Sequence, residues 1–176
     1  VIGKENLFDV RGSGIDLPDV FGACRKTIIG AVNGHAITGG FEIALNCDFL
    51  IASENAMFAD THAKVGIHPG WGMTQLLQQA VGKRMAKQMS LTCQFINAEQ
   101  AMRYGLVNEV VPQDELMKRS LEIAAQICEN RFEMITTVRD LINYRDTASM
   151  GQALAHERER FRRFVKKNMP GLKGSE

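Results

Sequence analysis

The feature that most restricts the fold of this chain is a short β-branched run that ends at a turn and is followed closely by two glycines. Residues 27–32 read Thr-Ile-Ile-Gly-Ala-Val, and an Asn-Gly pair comes directly after them. This pattern predicts a buried strand followed by a turn. Gly39 and Gly40 then precede residues 41–45, whose sequence Phe-Glu-Ile-Ala-Leu predicts a helix that opens at the glycines. The order of strand, turn and helix is typical of an α/β layered domain.

The rest of the chain extends this pattern and then becomes mostly helical. The expected fold class is therefore α/β, with a first part over residues 1–112 and a helical C-terminal part over residues 113–176. The predicted elements are a loop with a short helix before Lys26, strands over 27–32, 49–52 and 57–59, a loop over 64–72, helices over 73–81 and 83–91 on either side of Gly82, a capped helix from Asn97 to Tyr104, a strand over 106–111, and helices over 114–130, 132–144 and 149–167.

Charge and cysteine usage exclude several classes of function. The chain has 21 Lys and Arg against 20 Asp and Glu, and this near-neutral balance excludes nucleic acid as its partner. Cys24, Cys47, Cys93 and Cys128 are far apart in the sequence, so we expect buried, reduced thiols and a cytoplasmic protein. No apolar run reaches 18 residues, and the N-terminus lacks the layout of a signal peptide, so no membrane association is expected.

The glycine pair and the glutamate that follows it form the candidate chemical site. Backbone amides at the start of a helix lack partners within the helix and suit an oxyanion. Gly39 would let a substrate oxygen approach such an amide without a Cβ atom in the way. Glu42 lies three residues further on and would reach the same pocket as an acid or base. An ordinary helix whose first-turn acid complements its dipole has the same pattern, so the residues alone leave both interpretations open.

Two segments resemble the signatures of the enoyl-CoA hydratase/isomerase (crotonase) family. They are residues 31–48, AVNGHAITGGFEIALNCD, and residues 65–75, VGIHPGWGMTQ. The resemblance covers nearly all of the chain from Lys26 onward. It implies a partial crotonase-like ββα spiral over residues 1–112. It also implies that the helices of residues 113–176 pack subunits into a homotrimer or hexamer.

The resemblance also implies the chemistry. The substrate would be an acyl-CoA thioester whose carbonyl oxygen is held by two backbone amides, one of them that of Gly39. Such a donor is worth about 3 kcal/mol where comparable donors have been removed. Glu42 matches the first of the two glutamates that share water addition in hydratases of the family, and Gly70 and Trp71 would lie beside the acyl chain. No metal or separate cofactor is expected, because coenzyme A is part of the substrate and no ligand cluster has metal spacing.

The chain departs from the family pattern at the second glutamate, whose position is taken by His62. A histidine can donate or accept a proton near neutral pH. It can also simply fill the pocket wall. Asp60 is the alternative second acid, and the alternation of side chains along a strand does not say which of the two faces the pocket.

A second departure concerns the segment before Lys26, which resembles neither the first strands of the family nor its first oxyanion loop. The chain is then expected to be either a fragment or a truncated form with impaired catalysis. Three functions stay open: hydration of a 2-enoyl-CoA, a 3-to-2 double-bond shift, and non-catalytic acyl-CoA binding or assembly. The basic segment 158–167 would be a solvated helix face, a contact to phosphates, or a contact to another subunit.

Overall fold

The computed structural model describes residues 16–169, and these form two three-stranded sheets and eight helices. The elements in chain order are α1 (Leu17–Ala23), β1 (Ile29–Val32), β2 (His35–Ile37), α2 (Gly39–Leu45), β3 (Phe49–Ser53), β4 (Met57–Ala59), α3 (His62–Val65), α4 (Met73–Thr92), β5 (Ile96–Asn97), α5 (Ala98–Arg103), β6 (Glu109–Val111), α6 (Leu116–Cys128), α7 (Phe132–Tyr144) and α8 (Met150–Asn168). The predicted α/β class is confirmed, and the loop predicted over residues 1–15 lies outside the described residues.

Strands β1 to β4 enter the two sheets alternately, β5 joins the second sheet and β6 joins the first. The first sheet has the order β1-β3-β6 with parallel neighbours throughout. In the second sheet β2 pairs with β4 in parallel, and β4 pairs with β5 in antiparallel. β1 and β3 are parallel neighbours in the sheet, and β2 and α2 come between them in the sequence. One turn of the chain therefore consists of two strands and a helix. This is the ββα spiral that the resemblance implies, and helices follow it as expected.

The core lies where α2, β4 and α4 meet. Phe41 of α2 and Phe58 of β4 are fully buried, and their ring centroids lie 5.5 Å apart. Met73 and Leu77 are buried one turn apart on α4, so the same face of that helix covers the core. Burial of each such side chain contributes about 1.5–3 kcal/mol to folding. Packing of this kind fixes α2 against the segment that follows β4.

Three elements are missing from the sequence prediction. β2, β5 and α3 have three, two and four residues, and such short segments show no hydrophobic period. The strand predicted over residues 106–111 begins only at Glu109, because Leu106 and Val107 pack into the core as a loop. Gly82 has φ 77° and ψ 153° and interrupts α4, which confirms the predicted break between the two helical stretches.

The structure divides into two compact units, Val1–Ile127 and Cys128–Glu176, whereas the prediction placed the boundary after Pro112. Within the first unit, α6 is tied to β6 by an ion pair. Arg119 of α6 donates from Nε and Nη2 to the two carboxylate oxygens of Glu109, at 2.7 and 2.8 Å. These hydrogen bonds hold the pKa of Glu109 below its ordinary value. A role of the C-terminal helices in assembly stays a prediction.

The second unit contains the helix pair α7 and α8. Tyr144 and His156 stack between them with ring centroids 4.1 Å apart. The segment 158–167 lies in α8 as predicted, and both Lys166 and Lys167 are exposed, as expected for a solvated basic face. Phe161 on the same helix is also exposed. Among the helices of residues 16–169, none is both long enough and apolar enough to cross a membrane.

The expectation of four buried cysteines is wrong. Cys24, Cys47 and Cys93 are half-buried, and Cys128 is exposed at the end of α6. Cys47 packs against the edge of the core, where burial, and secondly the neighbouring Asp48 charge, raise the pKa of its thiol. None of the four cysteines is therefore fully buried, and Cys47 is the one that packs against the core.

Candidate active site

The site forms where two parallel strands end side by side. β2 and β4 pair so that Ile37 lies opposite Ala59, and the carboxyl ends of parallel strands meet at the same edge of a sheet. The amide of Thr38 donates to the carbonyl of Ala59 at 3.0 Å, and the Thr38 hydroxyl is hydrogen-bonded to that of Thr61. The start of α2 is therefore fixed next to the segment that follows β4.

Glu42 points into this junction and not toward solvent. It lies in the first turn of α2, as predicted, and only 2% of its surface is exposed. Its Oε1 atom accepts hydrogen bonds from the amide of Trp71 at 2.8 Å and, more weakly, from that of Met73 at 3.4 Å. A buried carboxylate requires such partners. These two hydrogen bonds fix Oε1, and the position of Oε2 is thereby also defined.

Oε2 of Glu42 faces the imidazole of His62. The His62 Nε2 atom lies 3.5 Å from Oε2, and the His62 Nδ1 atom lies 2.6 Å from Oδ1 of Asp60. All three side chains are buried. Since β4 ends at Ala59, strand alternation does not apply to Asp60 and His62. The two residues treated as alternatives in the sequence form one connected series with Glu42.

Gly39 occupies the first position of α2, directly after Thr38. Within residues 16–169, no hydrogen bond from the Gly39 amide to another described residue is present. A Cβ atom at this position would lie 3.4 Å from a ring carbon of Trp71. The backbone of Gly39 therefore lies beside the indole ring of Trp71.

Trp71 and Gly70 lie in the loop before α4. Trp71 is half-buried, and its backbone amide and carbonyl are both used, the first by Glu42 and the second by the Nδ2 of Asn46 at 3.0 Å. Gly70 is exposed. The structure thus brings Gly39, Glu42 and Trp71 together, while a contact between Gly70 and an acyl chain stays a prediction.

Sequence reasoning missed two residues that hold the site in place. Asn46 caps the end of α2 and donates both to the carbonyl of Glu42 at 2.8 Å and to that of Trp71, so it ties α2 to the loop before α4. Its position at a helix end, four residues after Glu42, is a signal for a capping role. Thr38 has φ 52° and ψ −113°, an unusual conformation for a residue with a side chain. No sequence signal indicates its bond to Thr61.

The arrangement is suited to moving protons at one small molecule. Oε2 of Glu42 and Nε2 of His62 are close enough for one water oxygen to contact both. One group would take a proton from this water while the other holds or supplies a proton. Among the described residues, no group of three or more His, Cys, Asp or Glu side chains is arranged to hold a metal ion.

The ββα spiral with its C-terminal helices places the chain among the crotonase-like proteins. The chain belongs to the enoyl-CoA hydratase/isomerase family, whose model matches residues 9–174. It is 46% identical over 136 residues to the probable peroxisomal enoyl-CoA hydratase 1 of Arabidopsis thaliana, covering 77% of this chain and 51% of that protein.

Two further comparisons agree with this family. A short-chain-enoyl-CoA hydratase of Clostridium acetobutylicum is 46% identical over 137 residues, covering 78% of this chain and 52% of that protein. The crystal structure of an enoyl-CoA hydratase from Mycobacterium smegmatis matches with a TM-score of 0.69 and 45% identity, covering 82% of this chain and 66% of that one. The chain spans about half of the length of the curated relatives it matches.

Proposed function

We propose that the intact protein adds water to the double bond of a 2-enoyl-CoA thioester. The observation that carries this proposal is the buried pair of Glu42 Oε2 and His62 Nε2, 3.5 Å apart, beside the unengaged amide of Gly39. The hydratase names of the relatives support the same reaction. Crotonyl-CoA is a suitable first substrate, because one of these relatives is named for short-chain substrates.

In this mechanism the amide of Gly39 donates to the thioester oxygen and stabilises the negative charge that develops there. Glu42 and His62 contact the same water molecule, which lies beside the pair. Glu42 takes a proton from the water as the water oxygen bonds to C3, and this proton passes through Nε2 of His62 to C2, so that both groups return to their starting state. The hydroxyl and the proton gained by the substrate together equal the water consumed. Trp71 and Gly70 would line the space for the acyl chain.

A double-bond shift from position 3 to position 2 is the second candidate. It is favoured by the replacement of the family's second glutamate by His62, because a single carboxylate can carry a proton between two carbons of a stabilised dienolate. The third candidate is a non-catalytic subunit that binds acyl-CoA. It predicts binding without turnover of any enoyl-CoA.

The test measures hydration of crotonyl-CoA and isomerisation of a 3-enoyl-CoA by the intact protein, from the ultraviolet absorbance of the conjugated thioester. We expect hydration to fall by about 10²- to 10⁴-fold in Glu42→Gln, the range typical of a lost general acid or base. Glu54→Gln, which changes an exposed glutamate, is the matched control and keeps full activity. Turnover of the 3-enoyl substrate alone supports the isomerase, and binding without either reaction supports the third candidate.

Assembly and location complete the proposal. We expect a cytoplasmic homotrimer or hexamer built through the C-terminal helices. In the second unit, Ile142 of α7 and Phe161 of α8 are 67% and 65% exposed, and large apolar side chains at such exposure favour a protein interface. Light scattering after size-exclusion chromatography tests this. Phe161→Ser should reduce the mass to that of a smaller species, whereas Glu54→Gln, at an exposed position of the first unit, should leave it unchanged.

The basic face of α8 has two proposed partners, the phosphates of coenzyme A or a neighbouring subunit. The double change Lys166→Ala and Lys167→Ala removes two exposed charges. If these lysines contact phosphates, the affinity for coenzyme A falls and its salt dependence weakens. An unchanged affinity at every salt concentration excludes the phosphate contact.

A further inference from the structure

Both hydrogen bonds that reach the Asp60 carboxylate from described residues come from His62. The backbone amide of His62 donates to Oδ1 at 3.2 Å, and the ring Nδ1 lies 2.6 Å from the same oxygen. Both side chains are buried. Resting on the proposed function, we infer that Asp60 is a positioning residue, which keeps Nδ1 of His62 protonated and presents Nε2 to Glu42 and the substrate.

The position of the shared proton follows from the chemistry of the two groups. An ionised carboxylate has acceptors only, so the ring nitrogen that contacts it must be the donor. The His62 backbone amide also donates to Oδ1, which requires an acceptor there. The bond made by one ring nitrogen then decides the protonation of the other.

The contact that orients the His62 ring comes from a residue close to it in the sequence. Asp60 and His62 are two residues apart and come just after the end of β4. The Asp60 carboxylate accepts a hydrogen bond from the backbone amide of His62, and this bond closes a compact turn. The ring is therefore held by its own neighbour in the sequence. On the other side, Oε1 of Glu42 is fixed by the amide of Trp71. The two atoms left to act on a substrate are Oε2 of Glu42 and Nε2 of His62.

The tautomer determines what His62 can do. With Nδ1 protonated, the neutral ring has a free electron pair on Nε2, which can take a proton and later return it. With the opposite tautomer, Nε2 carries a hydrogen directed at the Glu42 carboxylate and cannot accept a proton. Asp60 thus acts through His62 and is not itself the second acid.

The first test is ¹⁵N NMR of the histidine rings in the intact protein, at a pH where the rings are neutral. Asp60→Asn preserves size, but its amide NH₂ can donate to Nδ1 and so stabilises the opposite tautomer. We expect Nδ1 of His62 to be protonated in the wild type and largely unprotonated in Asp60→Asn. The exposed His35 is the internal control and does not change. A wild-type ring with unprotonated Nδ1, or a variant ring identical to wild type, would overturn the inference.

The second test is kinetic. Asp60→Asn should lower kcat for hydration by about 10²- to 10⁴-fold, the upper limit being the loss seen when the orienting aspartate of a serine-hydrolase triad is changed in this way. KM should change less than about threefold, since Asp60 does not contact substrate in this scheme. In a His62→Gln background the same change should cost less than about twofold. An equal loss in both backgrounds means that Asp60 acts directly, and it excludes the positioning role.

The two readouts separate the inference from the proposed function. If the protein hydrates no enoyl-CoA but the ring tautomer changes with Asp60→Asn, the positioning role holds and the proposed reaction fails. If hydration is robust but the ring is unaffected by residue 60, the positioning role fails and the reaction stands.

Discussion

Replacing Gly39 with alanine should separate stability from activity at this site. A Cβ atom at residue 39 meets only two ring carbons of Trp71 within 4 Å, at 3.4 and 3.9 Å, which is ordinary van der Waals contact. Gly39 does not have a positive φ, so alanine fits its backbone. Because glycine in a helix costs roughly 0.5–1 kcal/mol relative to alanine, Gly39→Ala should leave the free energy of unfolding unchanged or raise it by up to that amount.

Activity should respond in the opposite direction. In the proposed binding mode, the added methyl group lies next to the Gly39 amide and hinders the approach of a thioester oxygen to it. Loss of one such donor costs about 10²- to 10³-fold in kcat, or about 2.7–4 kcal/mol in the activation barrier. Gly40→Ala is the matched control, because this glycine is the next residue of the same helix and its Cβ would meet nothing within 4 Å. It should gain similar stability and keep full activity.

The measurements are urea unfolding for stability and hydration of crotonyl-CoA for activity, on wild type and both variants. Full activity of Gly39→Ala would refute the placement of the substrate oxygen at this amide. A large loss of stability in Gly39→Ala would refute the packing argument. Equal loss of activity in both variants would show that the helix start as a whole, and not the amide of Gly39, is sensitive.

The other predictions concern stability and thiol reactivity. Glu42→Ala should destabilise the fold by about 1–3 kcal/mol relative to Glu42→Gln in urea unfolding, because two backbone amides lose their buried acceptor; equal stability of the two would contradict this. Arg119 lowers the pKa of Glu109 from its ordinary 4.5, so this pair stabilises the fold above that pH and stabilises it less as the pH falls below it. The melting temperature of Glu109→Gln should therefore fall less steeply with decreasing pH than that of the wild type. A thiol reagent at pH 8 should label exposed Cys128 well before Cys47, whose thiol pKa is raised by burial, as peptide mass spectrometry would show.

The sequence was sufficient for those parts of the fold that depend on long periodic segments or on glycine punctuation. The start of α2 at Gly39, the break at Gly82 and the cap at Asn97 each follow from one residue type with a defined local effect. The three C-terminal helices could be predicted because each is long enough to show the helical period of apolar residues. β2 and β5 could not be predicted, since each is defined by its pairing with β4 rather than by its own composition.

The candidate site was predicted as a set of residues but not as an arrangement. Glu42 was found from the glycine pair at the start of its helix, and His62 because the family signature specifies its position. The contact between His62 and Asp60 depends on a turn after β4, and the two amides on Glu42 depend on how the loop before α4 folds back. Sequence spacing does not contain such information, because a loop backbone has no period from which side-chain directions can be inferred.

The conformation of Thr38 has a consequence for efforts to make this chain more robust. The ψ angle of −113° at Thr38 sets the plane of the peptide bond to Gly39, and with it the direction in which the Gly39 N–H points. Holding a threonine at φ 52° costs on the order of 1–3 kcal/mol. A glycine at residue 38 would release this strain, but it would also remove the hydroxyl that is bonded to Thr61 and let the peptide plane move. A change that relaxes Thr38 would therefore leave the Gly39 N–H without a defined direction.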